Sequence, residues 1–197
     1  MEFCQSLPYR TKQPLEENLQ QDLINKCLKG DSLAQYRLFD LYVKAMYNTV
    51  LRLVENKMEA EDIVQEGFVK AFGKLDQFKG NSTFGAWLKR IMVNQALDSL
   101  KKKSLEIVPF PVNEAAFEDD HSPEESNDLM PSPAVVNAQI LKLPKGCRMI
   151  FTLYQIEGYE QKQVAEMLDV SLSTVKTQYR RARLLLKERL MALKDER

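Results

Sequence analysis

One histidine, one tryptophan and three cysteines are spread over the 197-residue chain, and these shortages exclude a good deal. Cys4, Cys27 and Cys147 are far apart and form no CxxC pair. With one His beside them they make no recognisable zinc site, and an odd count argues against a disulfide framework. No Ser/His/Asp, Cys/His or metal constellation can be assembled, which argues against a hydrolytic or redox enzyme. No catalytic residue, metal or cofactor is therefore expected. No stretch approaches the roughly 18–20 apolar residues needed to cross a bilayer. Residues 1–21 are polar and lack the apolar core of a signal peptide, so the chain reads as reduced and cytoplasmic.

What is there emerges once the charge is divided by segment. Lys+Arg and Asp+Glu both number 28, a formal balance of zero. Residues 1–103 carry 16 basic and 13 acidic side chains, residues 104–138 carry none and 8, and residues 139–197 carry 12 and 7. Two mildly basic ends flank an acidic middle. That middle also holds five of the eight prolines, Pro109, Pro111, Pro123, Pro131 and Pro133. Prolines at this density break helices and strands, and the carboxylates repel, so an extended, mobile linker is expected over 104–138. His121 lies in it and reads as a solvated linker residue. The division is then a 1–21 N-terminal extension, a domain over 22–103, the linker, and a domain over 139–197.

Both flanks read as helical, and no apolar/polar alternation persists long enough for a sheet. From Asp31, residues Phe39, Val43, Met46, Val50 and Leu53 recur every three or four positions, the buried stripe of a long amphipathic helix. A second helix is predicted from Glu59 to Leu75, with Val64, Phe68, Ala71, Phe72 and Leu75 inward. Gly80-Asn81 breaks the chain, and Ser82 is the predicted N-cap of a third helix reaching Lys102. The fold class is all-α, in two small helical domains.

The most specific signal runs from Gly158 to Leu190. A short helix from Glu160 to Leu168 presents Val164, Ala165 and Leu168 on one side. Asp169-Val170 makes a tight connection, and Ser171 caps a new helix. Val175, Tyr179, Ala182 and Leu186 share one face of that helix. The other shows Ser173, Lys176, Thr177, Arg180 and Arg181, with Arg183 at the margin and Leu184 outward. This is a helix-turn-helix: the N-terminal hydroxyls meet base edges, while Lys and Arg reach phosphates or guanine. A solvated basic helix in a bundle is the plain alternative, but it has no reason to combine cap, tight turn and one-sided charge.

Leu143-Pro144, Arg148, Phe151, Leu153, Gln163-Val164-Ala165, Thr174-Val175-Lys176 and Arg181-Ala182-Arg183 resemble region 4 of bacterial sigma factors. They are most similar to the short extracytoplasmic-function (ECF) group. Glu160 and Gln163 depart from the family pattern, where Ser or Thr and then Glu are common. The first domain resembles region 2: Tyr36, Phe39 to Tyr42, the run from Ala60 to Glu66, Phe78 to Ser82, Ala86-Trp87-Leu88, Arg90-Ile91, and Asn94 through Asp98. Together the two resemblances cover about 130 residues, and nothing resembles the family's regions 1.1 or 3.

The resemblance implies a promoter-specificity subunit whose partners are core RNA polymerase, met at its β′ clamp helices and β flap, and promoter DNA. An anti-sigma factor is a usual further partner. It assigns −35 duplex reading to Ser171, Ser173, Thr174, Lys176, Thr177, Arg180, Arg181 and Arg183. Capture of the melted −10 strand falls to Lys79, Gly80, Asn81, Ser82, Arg90, Asn94, Asp98 and Lys101, with Lys89 adding charge nearby. Polymerase binding falls to Asp62, Gln65, Glu66 and Val69, a stripe that a merely solvated acidic face would also produce. Phe84 and Trp87 read as core before stacking platform, since Leu88 and Ile91 share their side. A helix-turn-helix regulator that never meets polymerase, and a helical adaptor without a nucleic-acid role, are the competing readings.

Overall fold

The computed structural model describes residues 14–103 and 132–195, with side chains placed over 20–103 and 132–193. The predicted linker interior, with His121, and Cys4 lie outside these residues. Every regular element among those described is helical.

The first domain is α1 (Pro14–Leu28), α2 (Ser32–Val54), α3 (Lys57–Gly73), a 3₁₀ turn (Leu75–Gln77) and α4 (Phe84–Lys102). Helix α1 starts inside the segment read from sequence as an extension, and it packs Leu23, Ile24 and Cys27 into the core. Asp31 caps α2, its carboxylate accepting from the N–H groups of Leu33 and Ala34, which satisfies two donors the helix leaves unpaired. Helix α2 is the spine: α1, α3 and α4 all pack against it. Met46, Val50 and Leu53 are buried as the spacing predicts, whereas Phe39 and Val43 are half-buried and Leu38 is fully buried. Helix α3 begins at Lys57 under an Asn56 cap, and Leu75 reaches the core from the 3₁₀ turn. Gly67 leaves room on α3 for the Met92 side chain of α4, whose thioether a Cβ there would meet.

The predicted Ser82 cap is corrected to Thr83, whose Oγ1 accepts from the N–H of Ala86 at 3.3 Å. The Ser82 hydroxyl donates instead to the Thr83 carbonyl at 3.4 Å. Two adjacent hydroxyl residues are equivalent in sequence; the extended backbone of Thr83 decides between them.

The second domain is α5 (Pro133–Leu141), α6 (Lys145–Phe151) running on into a π-helical segment (Thr152–Ile156), α7 (Gln161–Leu168) and α8 (Leu172–Asp195). Helix α5 begins inside the segment read as linker. Ser132 caps it and Pro133 takes its first position, where a missing N–H costs nothing. Gly158, at φ +80°, turns the chain from the π segment into α7. Here Gln163 Oε1 accepts from the backbone N–H of Glu160 at 2.9 Å, so the two departures from the family pattern still cap the helix.

The two domains share one apolar cluster. Buried Met149, Ile150, Leu153, Val164, Ala165, Leu168 and Val175 join the core of the first domain, with α6 and the π segment packed on α2. A smaller cluster of Ile140, Leu143, Cys147, Ala182 and Leu186 binds α5 and α6 to α8.

Candidate nucleic-acid and protein interfaces

Helices α7 and α8 form the expected helix-turn-helix. Asp169 sits in the left-handed region at φ +54°, and the N–H of Val170 bonds the Ala165 carbonyl at 3.0 Å, which makes the turn tight. Ser171 Oγ accepts from the Thr174 N–H at 3.0 Å and contacts the hydroxyls of Ser173 and Thr174 at 2.7 and 2.8 Å. Ser171 is thus the cap of α8, and the Ser173 and Thr174 hydroxyls are tied to it. Val175 and Ala182 are fully buried and Leu186 nearly so, while Ser173, Lys176, Arg180, Arg183 and Leu184 are exposed. Thr174, Thr177 and Arg181 are half-buried at the edge of the exposed face. Gln178 is buried, accepting from the Cys147 thiol at 2.9 Å. Burial, the larger influence, pushes that thiol upward, and the Arg181 charge opposes it.

On α4, Arg90, Asn94, Asp98 and Lys101 form one exposed row. Lys79 to Thr83 are exposed ahead of it, with Gly80 at φ +73°. Phe84 is buried, and the half-buried Trp87 packs between Phe78 and Phe84 at centroid distances of 5.5 and 5.7 Å. That aromatic cluster is core and anchors the base of the loop, with Tyr42 edge-on to Phe84 at 5.4 Å.

On α3, Asp62, Gln65, Glu66 and Val69 are all exposed, Val69 at 74%. Met58, at 72%, extends the stripe by one turn. The sequence reading missed it, although its i, i+4 relation to Asp62 was visible. Glu66 accepts from Gln95 Nε2 at 2.9 Å, and Glu59 takes Ser99 and Lys103 at 2.8 Å each, so α3 is pinned to α4. Between the helices lies an open groove of about 630 Å³ lined by Met58, Asp62, Glu66 and Asp98. Asp98 is therefore brought beside the α3 stripe as well as the α4 row.

Comparison with known proteins follows this division. The Sigma-70 region 2 profile matches residues 38–106, and the Sigma-70, region 4 profile matches residues 135–186. The ECF RNA polymerase sigma factor SigW of Bacillus subtilis is 32% identical over 181 residues, covering 86% of this chain and 96% of its own length. The chain belongs to the sigma-70 family, as an ECF sigma factor. It directs RNA polymerase to promoters to initiate transcription. The sigma factor is also 33% identical over 177 residues to the ECF sigma-E factor of Escherichia coli (85% of this chain, 92% of that protein). Among solved structures, CnrH in complex with the cytosolic domain of CnrY aligns with TM-score 0.48 and 23% identity, over 88% of this chain and 97% of that one. RpoE of Bartonella quintana, solved with the anti-sigma factor NepR, aligns with TM-score 0.48 and 22% identity, over 79% and 96%.

Between regions 2 and 4 of this sigma factor lies a polar network that the sequence did not reveal. Glu157, which follows the π segment, accepts from Arg52 at 3.0 Å, Lys89 at 2.9 Å and Thr49 at 3.1 Å. Arg148, 1% exposed, donates to the carbonyls of Arg52, Leu141 and Leu143 and to the Glu55 carboxylate at 2.7 Å. Arg148 appeared in the sequence only as a family motif residue, and Glu157 not at all. The region 2 partners of these two side chains lie up to 108 positions away along the chain and leave no local signal. Among the described residues no group of three or more His, Cys, Asp or Glu is placed to hold a metal, and no helix is long and apolar enough to cross a membrane.

Proposed function

We propose that this sigma factor divides its work among three exposed faces, acting by binding and not by catalysis, in the cytoplasm. Asp62, Gln65, Glu66 and Val69, extended by Met58, dock on the β′ clamp helices of core polymerase: carboxylates and an amide for Arg and Gln partners, apolar side chains for contact area. Lys79 to Ser82 and the row Arg90, Asn94, Asp98 and Lys101 hold the melted −10 strand. Cations there track the backbone, and the loop receives an unstacked base. Helix α8 enters the −35 major groove with Ser173 and Thr174 leading and Lys176, Thr177, Arg180, Arg181 and Arg183 behind. Ser171 acts there chiefly as the cap that orients the first turn. Leu184, outward past Arg183, suits a protein contact such as the β flap. An anti-sigma factor that covers these faces would silence the chain.

The observation that carries this reading is the exposure of an acidic-apolar stripe on α3 and a basic hydroxyl-led face on α8 within one chain. A DNA-binding regulator alone has no use for the first. The test is run-off transcription with purified core enzyme on genomic DNA, with alanine at Asp62 and Gln65 as the discriminating variant. Core affinity should fall while binding to −35 duplex persists. Unchanged core affinity, or no initiation by the unaltered chain, overturns the assignment.

A further inference from the structure

The contact between regions 2 and 4 is built on charge as well as apolar surface. The Glu157 carboxylate is 2% exposed and lies between the Arg52 guanidinium and the Lys89 ammonium, with the Thr49 hydroxyl as third donor. All three donors come from α2 and α4 of region 2, whereas Glu157 belongs to region 4. A second tie joins Arg148 to the Arg52 carbonyl and to Glu55, itself held at φ +70° at the end of α2. A buried carboxylate is tolerated only while its cations are in place, so the docking and the ion pairs stand or fall together.

Lys89 lies on the helix assigned above to the melted strand, next to Arg90. A carboxylate bridging a guanidinium and an ammonium occupies them as a backbone phosphate oxygen would. The docked form leaves Arg52 Nε buried without a hydrogen-bond partner, so its polar groups are not all satisfied and opening is correspondingly easier. Geometry adds a constraint. Elements named for positions −35 and −10 are roughly 25 base pairs apart, about 85 Å of duplex at 3.4 Å per pair. Two touching domains of this size have centres only about 30 Å apart. The 28 residues numbered 104–131 reach at most about 95 Å, enough for regions 2 and 4 to separate.

We propose that Glu157 is an intramolecular latch. By occupying the Arg52–Lys89 pair it holds region 4 closed on region 2, and it must release before the two regions can span a promoter. The inference rests on the division of promoter contacts given above, and its test is independent of them.

Fluorophores at Asp76→Cys and Glu188→Cys, both exposed positions, report the separation of the regions by single-molecule energy transfer. Cys4→Ser removes one native thiol, and Cys27 and Cys147 are buried. At low salt the full chain should show mainly a short-distance population. Glu157→Gln should raise the long-distance population at least threefold, as should high salt on the unaltered chain. Glu157→Lys should open the chain further, and adding Arg52→Glu should restore the short distance, which a misfolded protein would not do. The latch is overturned if Glu157→Gln leaves the distance distribution unchanged, if the unaltered chain is already long-distance at low salt, or if the charge swap fails to restore closure. With saturating core polymerase, run-off transcription by Glu157→Gln should match the unaltered chain within about twofold, because Glu157 touches neither DNA nor polymerase in the proposed complex. A chain that opens as expected yet initiates nothing supports the latch and overturns the promoter assignment alone.

Discussion

Arg148 and Glu59 show how single side chains settle accounts across helices. Arg148 is enclosed, with three backbone carbonyls and one carboxylate around its guanidinium. Truncation to alanine strips all four acceptors of their donor, and three of these are main-chain groups at helix ends. Arg148→Ala should cost about 3–5 kcal/mol in urea unfolding, whereas Glu55→Gln, at the exposed end of the same network, should cost about 1 kcal/mol or less. A loss below about 1 kcal/mol for Arg148→Ala would mean that the network is not a structural keystone. Glu59 offers a pH test. Burial alone raises its carboxyl, but hydrogen bonds from Lys103 and Ser99, with the charges of Lys103 and Lys145, hold it below the ordinary 4.5. A carboxyl lowered in the folded state stabilises it above the unfolded value, and that contribution fades as pH falls through the lowered one. Glu59→Gln should therefore melt lower than the unaltered chain at pH 7, with the gap narrowing as pH falls below about 4.5.

At the level of the element, α8 combines two tasks that pull in different directions. Its buried face of Val175, Ala182 and Leu186 fixes its rotation against α6 and α7, and its first turn is tied by Ser171. Lys176 and Arg180 then lie on the exposed face, where the proposed −35 contact would bring them to phosphates. Replacing either by alanine should lower holoenzyme affinity for −35 duplex and reduce the slope of log affinity against log salt by about 1. Ser171→Ala should act differently, costing about 1 kcal/mol of stability and leaving the salt slope unchanged. Anisotropy titrations across a salt series, with thermal melts alongside, separate the two roles. The spacing of Val175, Ala182 and Leu186 made the inward face of this helix legible in sequence, and the Asp62 to Val69 stripe was legible for the same reason. The cap of α4 and the start of α5 were not. Ser82 and Thr83 differ only in backbone conformation, and Pro133 reads as a breaker unless it is known to be the first helical residue.

Considered whole, the molecule has a core that does not stop at the boundary between its regions. Met149, Ile150 and Leu153 join the cluster that Leu38, Val50 and Leu53 form around α2. Unfolding should therefore be cooperative across both regions under conditions that keep them docked. Trp87, the single tryptophan, reports region 2, while far-UV circular dichroism reports all helices. At low salt the two urea midpoints should coincide, and at high salt, with the ion pairs screened, they should part. Midpoints that never coincide would show that the regions unfold independently.

The helical class, the two regions and the faces they turn to solvent can be read from residue order alone, because helical periodicity writes burial and exposure into neighbours three and four apart. That Glu157 meets Arg52 and Lys89, and that Arg148 closes on the end of α2, emerges only in the folded chain. Those partners are brought together by the docking of one region on the other, and no local pattern along the chain encodes a contact made across a hundred residues.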